Sequence, residues 1–443
     1  MLIWIDLTKR KSAMKLAVAA VFTLFAHTAS AVTLVQAGSL LDRPGQAPRG
    51  ASTLVVDGGK ISAVLDGFVG ADKYPGAEII DLRTRFVLPG LIDSHVHLTS
   101  DRGGSDGALA GYTVNTAEWA YEAEMNGRKT LMAGFTTVRN LGDGDGVTLA
   151  LRDAIAKGWA LGPRILDAGT SISASAGHMD GRNGSADWIR AHTDVTNLCD
   201  GVESCRRAVR LQVARGVDVI KIATTGGVNS VIGAGLGRQM FDDEVKALID
   251  TARMYGKKVA VHAHGADGVN MALAAGAASI EHGTMLDDEG VKLFLKSGAY
   301  YVPTLSTVLG YRERIAANPN AYVPAVRAKV DWRLSVTGKA LKLAHARGVK
   351  IAFGTDAGVS KHGMNASEFE MMVEFGMTPA EAIKAATVNA ADLLGIGAIA
   401  GTLEAGKSAD LIAVAASPLA DVRELKKVGF VMAQGKVVKH ELK

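Results

Sequence analysis

The sequence predicts an α/β protein: a TIM-like (β/α)8 barrel accompanied by a small composite β-sandwich formed by both chain ends. Three observations predict this architecture. Residues 88–397 alternate short apolar runs with stretches of helical spacing, and the apolar runs number eight. The flanking regions, 32–87 and 398–443, contain short β-type segments separated by Gly, Asp and Pro, without helical periodicity.

The first 31 residues predict a secretory signal peptide. Basic residues at positions 9–11 and Lys15 precede an apolar run over residues 16–26, and an Ala-Ser-Ala motif ends at Ala31. Eleven apolar residues cannot cross a hydrocarbon core of about 30 Å, so no membrane span is expected here or later in the chain. We expect cleavage after Ala31 and an exported protein, periplasmic or secreted. The sequence leaves open whether translation starts at Met1 or Met14.

The composition is that of an ordinary globular protein. Of the 443 residues, 48% are hydrophobic and 21% are charged, which excludes disordered, collagen-like and disulfide-scaffold proteins. The formal net charge of +4 falls to about +1 once the signal peptide, with four basic residues and one acidic residue, is removed. No basic surplus remains that would favour a nucleic-acid partner.

The β-rich ends supply the segments assigned to the sandwich. Before residue 88 these segments are TLVQAG, STLVVDGG, KISAVL and AEIIDL. After residue 397 the same character returns in GTLEAGKSADLIAV and VGFVMAQGKVVK. Similar ends on either side of a different middle indicate one composite unit.

The eight barrel strands follow one another through the middle region. The first ends at His97, in LPGLIDSHVH, and the others are FTTVRN, PRILDAG, VDVIKIATTGG, KVAVHAHG, AASIEHG, YYVPTL and VKIAFGTD. Each is followed by ten or more residues with helical spacing. Ala- and Gly-rich helices such as EAIKAATVNAADLLG suit close packing of helix on sheet.

Residues of metal-binding type stand where five of these strands end: His95, His97, Lys221, His262, His282 and Asp356. The interval of 124 residues from His97 to Lys221 fits three β/α units of about 41 residues. The later intervals of 41, 20 and 74 residues fit one unit, one short unit and two units, which assigns the residues to strands 1, 4, 5, 6 and 8. In a parallel barrel the carboxyl ends of all strands meet at one mouth, where active sites lie.

The types of these residues favour a metal site. His95 and His97 are two residues apart, so they point to the same side of an extended chain. A single strand-end His is usually an ordinary polar residue, but four of them with an Asp and a Lys are not explained in that way. Imidazole and carboxylate ligands without thiolate suit Zn²⁺, with Mn²⁺, Co²⁺ and Fe²⁺ left open.

The complete pattern resembles the amidohydrolase superfamily: His-x-His closes a strand after LPGLID, and Lys, His, His and Asp follow in that order. The segments GFTTVRN, GVDVIKIATTGGV, VAVHAHG, SIEHG, FGTDAG and MTPAEAIKAATVNAADLLG resemble more closely its imidazolonepropionase-like branch of metal-dependent peptidases and amidases. That branch includes Xaa-Pro dipeptidases, carboxypeptidases and ochratoxinase-type amidohydrolases. The resemblance spans about residues 33–440.

The resemblance implies a binuclear metal centre. The buried ion would be held by His95, His97 and Asp356, and the more exposed ion by His262 and His282. Lys221 would be carboxylated on its amine (N6-carboxylysine) and bridge the two ions, because an ammonium group beside two dications is strongly disfavoured. An unmodified Lys221 that neutralises Asp356 stays open as the alternative.

The resemblance also implies roles for residues at the barrel mouth. Two bound ions would activate a water molecule and polarise an amide carbonyl. Asp356 is expected to take the proton of that water and deliver it to the leaving nitrogen. His264, two residues beyond His262, would donate a hydrogen bond to the oxyanion, with a structural role as the alternative. His178, in the Gly-rich loop SASAGHMDGRNG, and His362, in the loop after strand 8, are candidates for substrate contacts.

These residues predict an exported metallohydrolase that cleaves an amide or peptide bond next to a C-terminal amino acid. Its substrate would be a small-molecule amide or short peptide, with the acyl and amino-acid preferences left open. Arg182, Tyr311 and Arg312 are candidates for binding the substrate carboxylate. VHAHGAD lacks the Glu that mononuclear deaminases and imidazolonepropionase carry after the strand-5 His.

Two alternatives to this function remain. Lactone or phosphotriester hydrolysis could occur on the same metal pair, because fold and metals do not determine the substrate. The second alternative is a non-catalytic scaffold protein with this fold that acts by forming oligomers. The resemblance also implies a homo-oligomer, up to an octamer.

The two cysteines, Cys199 and Cys205, lie six residues apart in TNLCDGVESC. Export implies an oxidising compartment, in which a short-loop disulfide would persist. The sequence does not distinguish a disulfide between these two cysteines from two free thiols. No further Cys is present to complete a zinc knuckle.

Overall fold

The computed structural model describes residues 32–231 and 235–441. The predicted signal peptide, residues 1–31, lies outside these ranges. Within them, no helix combines the length and the apolar composition needed to cross a bilayer.

The strands of the described residues are β1 (Thr33–Leu40), β2 (Ser52–Asp57), β3 (Lys60–Asp66), β4 (Glu78–Pro89), β5 (Leu91–Val96), β6 (Phe135–Asn140), β7 (Arg164–Asp167), β8 (Ile220–Ala223), β9 (Val259–Ala263), β10 (Ser279–His282), β11 (Tyr300–Val302), β12 (Leu411–Val414), β13 (Phe430–Ala433) and β14 (Lys436–His440).

The helices are α1 (Gly104–Thr113), α2 (Thr116–Met132), α3 (Val147–Ala156), α4 (Asp187–Arg190), α5 (Val202–Ala214), α6 (Asp242–Met254), α7 (Ala266–Ala275), α8 (Asp288–Ser297), α9 (Thr307–Ala317), α10 (Pro324–Val336), α11 (Lys339–Ala346), α12 (Ser367–Glu374), α13 (Pro379–Lys384) and α14 (Ala390–Leu394). A π-helical turn spans Ala385–Asn389, and a 3₁₀ helix spans Val422–Lys427.

Both ends of the chain join one seven-stranded sheet, in the order β14-β13-β12-β4-β1-β2-β3. β4 pairs parallel with β1 and antiparallel with β12, where Leu88 lies opposite Ile412. The C-terminal strands therefore extend the sheet that the N-terminal strands begin. The expected domain junction between residues 87 and 88 falls inside β4, which continues almost directly into β5.

Seven of the predicted middle strands form two parallel sheets, β5-β6-β7 and β8-β9-β10-β11. Isolated parallel bridges lie at the edges of these sheets: Ile172 with Ile222, Tyr301 with Ile351, and Val96 with Ala357. The segment VKIAFGTD, predicted as the eighth strand, contributes only such bridges. Its last residue, Asp356, takes a φ of 57°, which is incompatible with extended geometry.

Helices pack against the parallel strands, so both faces of these strands are buried. Every residue of β8, β9 and β10 is buried. The intervening helices turn one apolar stripe inward: in α6 the buried residues Val245, Leu248 and Ala252 recur at three- and four-residue spacing. The rings of Phe135 and Phe353 pack at a centroid distance of 5.5 Å in the same core. This core holds the strand ends rigidly.

The predicted helix EAIKAATVNAADLLG contains a π-helical turn that ties it to the segment carrying Asp356. The helix begins with a capping box formed by Thr378 and Glu381, and it ends at Gly395, whose φ is 75°. In the π turn, the carbonyl of Ala385 accepts a hydrogen bond from the backbone N–H of Phe353 at 3.1 Å. This interruption was not predicted from the sequence, because it serves a tertiary contact.

Cys199 and Cys205 form a disulfide, and both residues are fully buried. Cys205 lies in the first turns of α5, the helix that leads to β8. The pair therefore closes the loop that enters this helix.

Candidate metal centre

The predicted ligands come together at one end of the parallel strands. Together with other side chains they line a single cavity of about 200 Å³; the six are His95, His97, Lys221, His262, His282 and Asp356. His95 lies in β5, Lys221 in β8, His262 in β9 and His282 at the end of β10. β8, β9 and β10 are parallel neighbours in one sheet, so their carboxyl ends lie at the same edge, and the cavity brings the end of β5 from the other sheet to that edge.

Asp356 lies between the two histidines of the His-x-His motif. Its Oδ1 is 3.4 Å from Nε2 of His95 and 3.3 Å from Nε2 of His97. One potential ligand atom from each of His95, His282 and Asp356 lies within 4.8 Å of the others. The sequence assigned His282 to a different ion from the other two, so the two expected ion sites adjoin in the structure.

The remaining ligands pack against this group. The rings of His262 and His282 have a centroid distance of 4.6 Å. Lys221 is 1% exposed, and its Nζ has no hydrogen-bond partner among the described residues. Burying an amine without a hydrogen-bond partner costs free energy, so such groups are rare in folded proteins unless a ligand or ion contacts them.

Hydrogen bonds behind the ligands fix which nitrogen faces the cavity. Nδ1 of His95 lies 2.9 Å from the carboxylate of Glu281, and Nδ1 of His97 lies 3.0 Å from the carbonyl of Gly142. Nδ1 of His282 lies 2.7 Å from the hydroxyl of Thr304. In these three residues Nε2 is therefore the nitrogen left for a metal, as in other histidine-metal sites with oriented ligands.

His262 is oriented in the opposite way. Its Nε2 lies 3.3 Å from the carbonyl of Gly226, and its Nδ1 has no hydrogen-bond partner among the residues that the structure describes. The nitrogen that is free to face the cavity is therefore Nδ1 in His262 of β9 and Nε2 in His282 of the neighbouring β10.

Two of the ligands adopt strained backbone conformations. His282 has a φ of 69° and Asp356 a φ of 57°, in the left-handed region that costs a residue with a side chain about 1–2 kcal/mol. Strain of this kind persists only where the surrounding structure imposes it, and it clusters at functional sites. The left-handed φ directs the side chains of His282 and Asp356 into the cavity, which an extended backbone at these two residues would not do.

Burial keeps the imidazoles of His95, His262 and His282 neutral, and charged neighbours keep the carboxylate of Asp356 ionised. Burial, together with nearby Lys221, lowers the pKa of His95 to about 4, and burial lowers the pKa of His262 and His282 well below the usual value. Burial raises the pKa of Asp356, but His95, His97 and Lys221 outweigh it and hold that pKa at about 2. These are the protonation states in which such groups bind metals.

The two further histidines predicted for the mouth also line the cavity. The ring of His178 stacks on that of His262 at a centroid distance of 4.1 Å, and its Nδ1 hydrogen bonds with the hydroxyl of Ser230. Nδ1 of His264 lies 2.9 Å from the hydroxyl of Thr284. When that hydroxyl donates, Nε2 of His264 carries the proton and can act as a donor.

Three other candidates occupy different places. His362 lies behind His97: its Nε2 is 3.0 Å from the carbonyl of His97, and it is not part of the cavity lining. Arg182 pairs with Asp180 in the loop after β7, and Arg312 is exposed on α9. Tyr311 does line the cavity. Helical geometry separates Tyr311 and Arg312, since adjacent helix residues face different directions.

Sequence reasoning missed Arg333 and Glu281. Arg333 is 3% exposed and lines the cavity, although its place in a helix gave no chemical motif. The available signal was its spacing: Val326, Val330 and Arg333 form one buried stripe of α10, so an Arg occupies an apolar position. Glu281 directly precedes His282, and strand alternation turns its side chain away from that residue and under His95.

The residues present fit a divalent metal centre. They offer imidazole nitrogens and a carboxylate at one buried point, the donor set that suits zinc and similar ions. The unpartnered Nζ of Lys221 lies in the same cavity, where an anionic carbamate would supply oxygen ligands. The oriented imidazoles agree with the outer hydrogen bonds that metal sites use.

Comparisons with known proteins identify the family of this chain. The amidohydrolase family model matches residues 86–438. Ochratoxinase from Aspergillus niger is 34% identical over 431 residues, which cover 92% of this chain and 87% of that protein.

Two solved structures are also similar. A Xaa-Pro dipeptidase with methionine bound in its active site has 40% identity and a TM-score of 0.87, and the match covers 92% of this chain and 100% of that chain. A prolidase complexed with N-methylphosphonate-L-proline has 30% identity and a TM-score of 0.83, with coverage of 92% and 100%. These matches confirm the resemblance drawn from the sequence motifs. The chain belongs to the amidohydrolase family of hydrolases.

Proposed function

We propose that this protein is an exported binuclear-metal amidohydrolase that cleaves the amide or peptide bond next to a C-terminal amino acid. Arg333 is the observation that carries the proposal. Its guanidinium is buried beside the predicted metal ligands and forms no ion pair with a carboxylate of the described residues. A buried guanidinium that forms no ion pair favours an anionic ligand, and Arg binds carboxylates in planar, two-point geometry.

The relatives support this substrate class. The dipeptidase structure holds methionine, a free amino acid, in its active site. The prolidase complex holds N-methylphosphonate-L-proline, which joins a tetrahedral phosphorus group to an amino acid with a free carboxylate. Ochratoxinase, which matches 92% of this chain, adds a third relative to these two. Both bound ligands are consistent with a carboxylate held near the reacting bond.

The chain's own residues supply the remaining chemistry. Two divalent ions, for which zinc is the expected choice, would activate a water molecule and polarise the amide carbonyl when bound. Asp356 accepts the proton of the attacking water at a carboxylate oxygen and passes it to the leaving nitrogen. His264 donates a hydrogen bond from Nε2 to the developing oxyanion. Lys221 would add CO₂ at Nζ with loss of a proton, and the resulting carbamate would offer anionic oxygen ligands in place of a buried cation.

The proposal extends to architecture and location. The bridges at Ile172, Ile351 and Ala357 support closure of the two parallel sheets into one eight-stranded barrel. The seven-stranded sheet supports a companion unit built from both chain ends. The buried disulfide supports export, because disulfides persist in oxidising compartments.

The test uses purified protein without residues 1–31. Metal content is measured per chain, and release of free amino acid is measured with N-acyl amino acids and dipeptides. We expect two metal ions per chain and hydrolysis that is lost in Asp356→Asn and Lys221→Ala. Glu313→Gln, at an exposed residue on α9, is the matched control and should retain activity.

Two outcomes would contradict the proposal. Fewer than one metal ion per chain, or full activity in Lys221→Ala, would exclude the binuclear mechanism. Turnover of lactones or phosphotriesters without release of any amino acid would exclude the amide substrate while leaving the metal centre intact.

A further inference from the structure

Residues 171–179 form the His178 loop, which carries two side chains of the metal cavity, His178 and Met179. The first part of this loop is fixed by β8, because the backbone N–H of Ile172 donates to the carbonyl of Lys221 at 2.9 Å. Beyond Ile172, the described part of the loop does not pair with β8. The position of His178 therefore depends on contacts outside the parallel strands.

A second segment, residues 197–200, lies against the His178 loop, and we call it the clamp segment. The backbone N–H of Ser173 donates to the carbonyl of Asn197 at 3.3 Å. The backbone N–H of Cys199 donates to the carbonyl of Ser173 at 3.0 Å, and Ser173 and Leu198 form a parallel bridge. The clamp segment thus pairs with the His178 loop in the manner of a short parallel strand.

The side chain of Asn197 joins the two ends of the His178 loop. Its amide donates one hydrogen bond to the carbonyl of Ser171 at 2.9 Å and another to the carbonyl of Met179 at 3.0 Å. Asn197 is 8% exposed, so little water competes for these hydrogen bonds. Because Met179 directly follows His178, a shift of its carbonyl would also move His178.

The disulfide connects the clamp segment to a rigid helix. Cys199 belongs to the segment, whereas Cys205 lies in α5, which packs in the main core through Ala208 and Val209. Residues 191–201, between α4 and α5, form turns and one isolated bridge but no regular helix or strand. A covalent link restricts the conformations open to such a connection. The disulfide therefore keeps Asn197 beside the loop.

His178 has a position that small movements would disturb. Its ring stacks on that of His262, and its backbone N–H donates to the side-chain carbonyl of Gln239 at 2.9 Å. A misplacement of about 1 Å at a group that faces the substrate can lower a rate by about 100-fold. Any residue that fixes the His178 loop therefore affects the chemistry in the cavity.

We propose that Asn197 is a positioning residue that holds His178 over the metal cavity, and that the Cys199–Cys205 disulfide keeps Asn197 in place. The inference rests on the proposed function, in which amide hydrolysis takes place in this cavity. It gives the disulfide a role in catalysis in addition to stability: the protein reaches full activity only when this pair is formed.

The kinetic test uses Asn197→Ala, which removes both side-chain hydrogen bonds. We expect kcat for release of free amino acid to fall about 10–100-fold while the metal content per chain stays at that of the native sequence. Thr196→Ala is the matched control: this neighbour is exposed, its hydroxyl bonds with Asp194, and kcat should not change. Cys199→Ser combined with Cys205→Ser should lower kcat about fivefold or more, again with the metals retained.

A double-mutant cycle distinguishes positioning from a general structural role. In His178→Ala the contribution of His178 is already lost, so adding Asn197→Ala should change kcat by less than about twofold. An equal loss of kcat in the native and His178→Ala backgrounds would overturn the inference. Unchanged kcat in folded Asn197→Ala protein would overturn it as well.

Chemical modification gives a readout that does not depend on the reaction. Diethyl pyrocarbonate transfers an ethoxycarbonyl group to an unprotonated imidazole nitrogen, and peptide mass spectrometry measures the rate at each histidine. The rate at His178 should rise about fivefold or more in Asn197→Ala and in the double Cys variant, because a loosened loop exposes the ring. The exposed His192 is the internal reference and should react equally in all variants. Asn197→Asp, which keeps the size of the side chain but loses the donors, replaces Asn197→Ala if that variant does not fold.

The inference and the proposed function fail separately. If no amide releases an amino acid, the proposed function fails, and the rate of modification at His178 still decides whether Asn197 fixes the loop. If amides are hydrolysed and that rate does not depend on Asn197, the positioning role alone is excluded, whatever the effect on kcat.

Discussion

Nδ1 of His95 lies 2.9 Å from the carboxylate of Glu281, and both side chains are fully buried. Arg139 holds the same carboxylate at 2.8 Å from the opposite side. Burial raises the pKa of Glu281, but Arg139 and His95 outweigh it and hold that pKa at about 2. Glu281 is therefore an anion that orients a predicted metal ligand, a positioning residue one step away from the chemistry.

Glu281→Gln should weaken metal binding by about 10–100-fold, the usual loss when the partner of a ligating histidine is changed. Metal affinity is measured by competition with a chelator. Glu289→Gln, at an exposed position on α8, serves as the control. An unchanged affinity in folded Glu281→Gln protein would refute the orienting role.

Arg333→Met should raise KM for substrates with a free C-terminal carboxylate by about 10–150-fold, the loss expected for a charged hydrogen bond. The same variant should change KM little for the matching C-terminal carboxamide. Arg312→Met, at an exposed residue, should leave both values unchanged. Equal effects on acid and carboxamide would show that Arg333 does not bind the carboxylate.

Lys329→Met should lower kcat by about tenfold, because Lys329 holds the loop next to His178. Its Nζ donates hydrogen bonds to the carbonyls of Gly227 and Ser230, and the hydroxyl of Ser230 hydrogen bonds with His178. Removing one such anchor shifts a positioned group by enough to affect rate. Lys329→Arg should restore most of the activity; a rate unchanged in Lys329→Met would exclude the anchoring role.

The free energy of unfolding should contain a contribution from Glu368 that falls as the pH rises from about 5 to 8. Burial raises the pKa of Glu368 to about 7, whereas an unfolded Glu titrates near about 4.3. Between these values the folded state holds the proton and the unfolded state does not, so stability is highest below pH 4.3 and is lost as the pH rises through 7. The full effect is about 4 kcal/mol.

The measurement is urea unfolding at pH 5 and pH 8 for the native sequence and Glu368→Gln. The difference between the two free energies of unfolding isolates Glu368 from the buried histidines, whose lowered pKa values act in the opposite direction. Glu374→Gln, at the exposed end of the same helix, is the control. A difference that does not change with pH would contradict the prediction.

Much of the site was predictable because its signals are local. Short apolar runs predict buried strands, and polar residues are rare inside such runs. Three of these runs contain one of the predicted ligands: Lys221, His262 and His282. Seven of the eight predicted middle strands were found at the expected positions. The eighth predicted segment does not form a regular strand, because Asp356 has a left-handed φ. The surrounding structure imposes that φ, and no composition pattern in the sequence predicts it.

The residues that were missed act over long sequence distances. Glu281 lies 186 positions from His95, its hydrogen-bond partner. Arg333 belongs to an ordinary-looking helix, and only its packing reveals a buried guanidinium without a counter-ion. The position of His362 behind His97, rather than in the cavity, likewise depends on how the loop after Asp356 folds back.

The sequence by itself determined the family, the order of the strands and the ligand types, because these follow from periodicity and from polar residues at fixed points in apolar runs. Only the tertiary structure decided which nitrogen of each histidine faces the cavity, and that Arg333 is buried in the cavity wall with hydrogen bonds but no ion pair among the described residues. The physical reason is that burial and hydrogen-bond pairing depend on segments far apart in the chain, whose contacts no local pattern records.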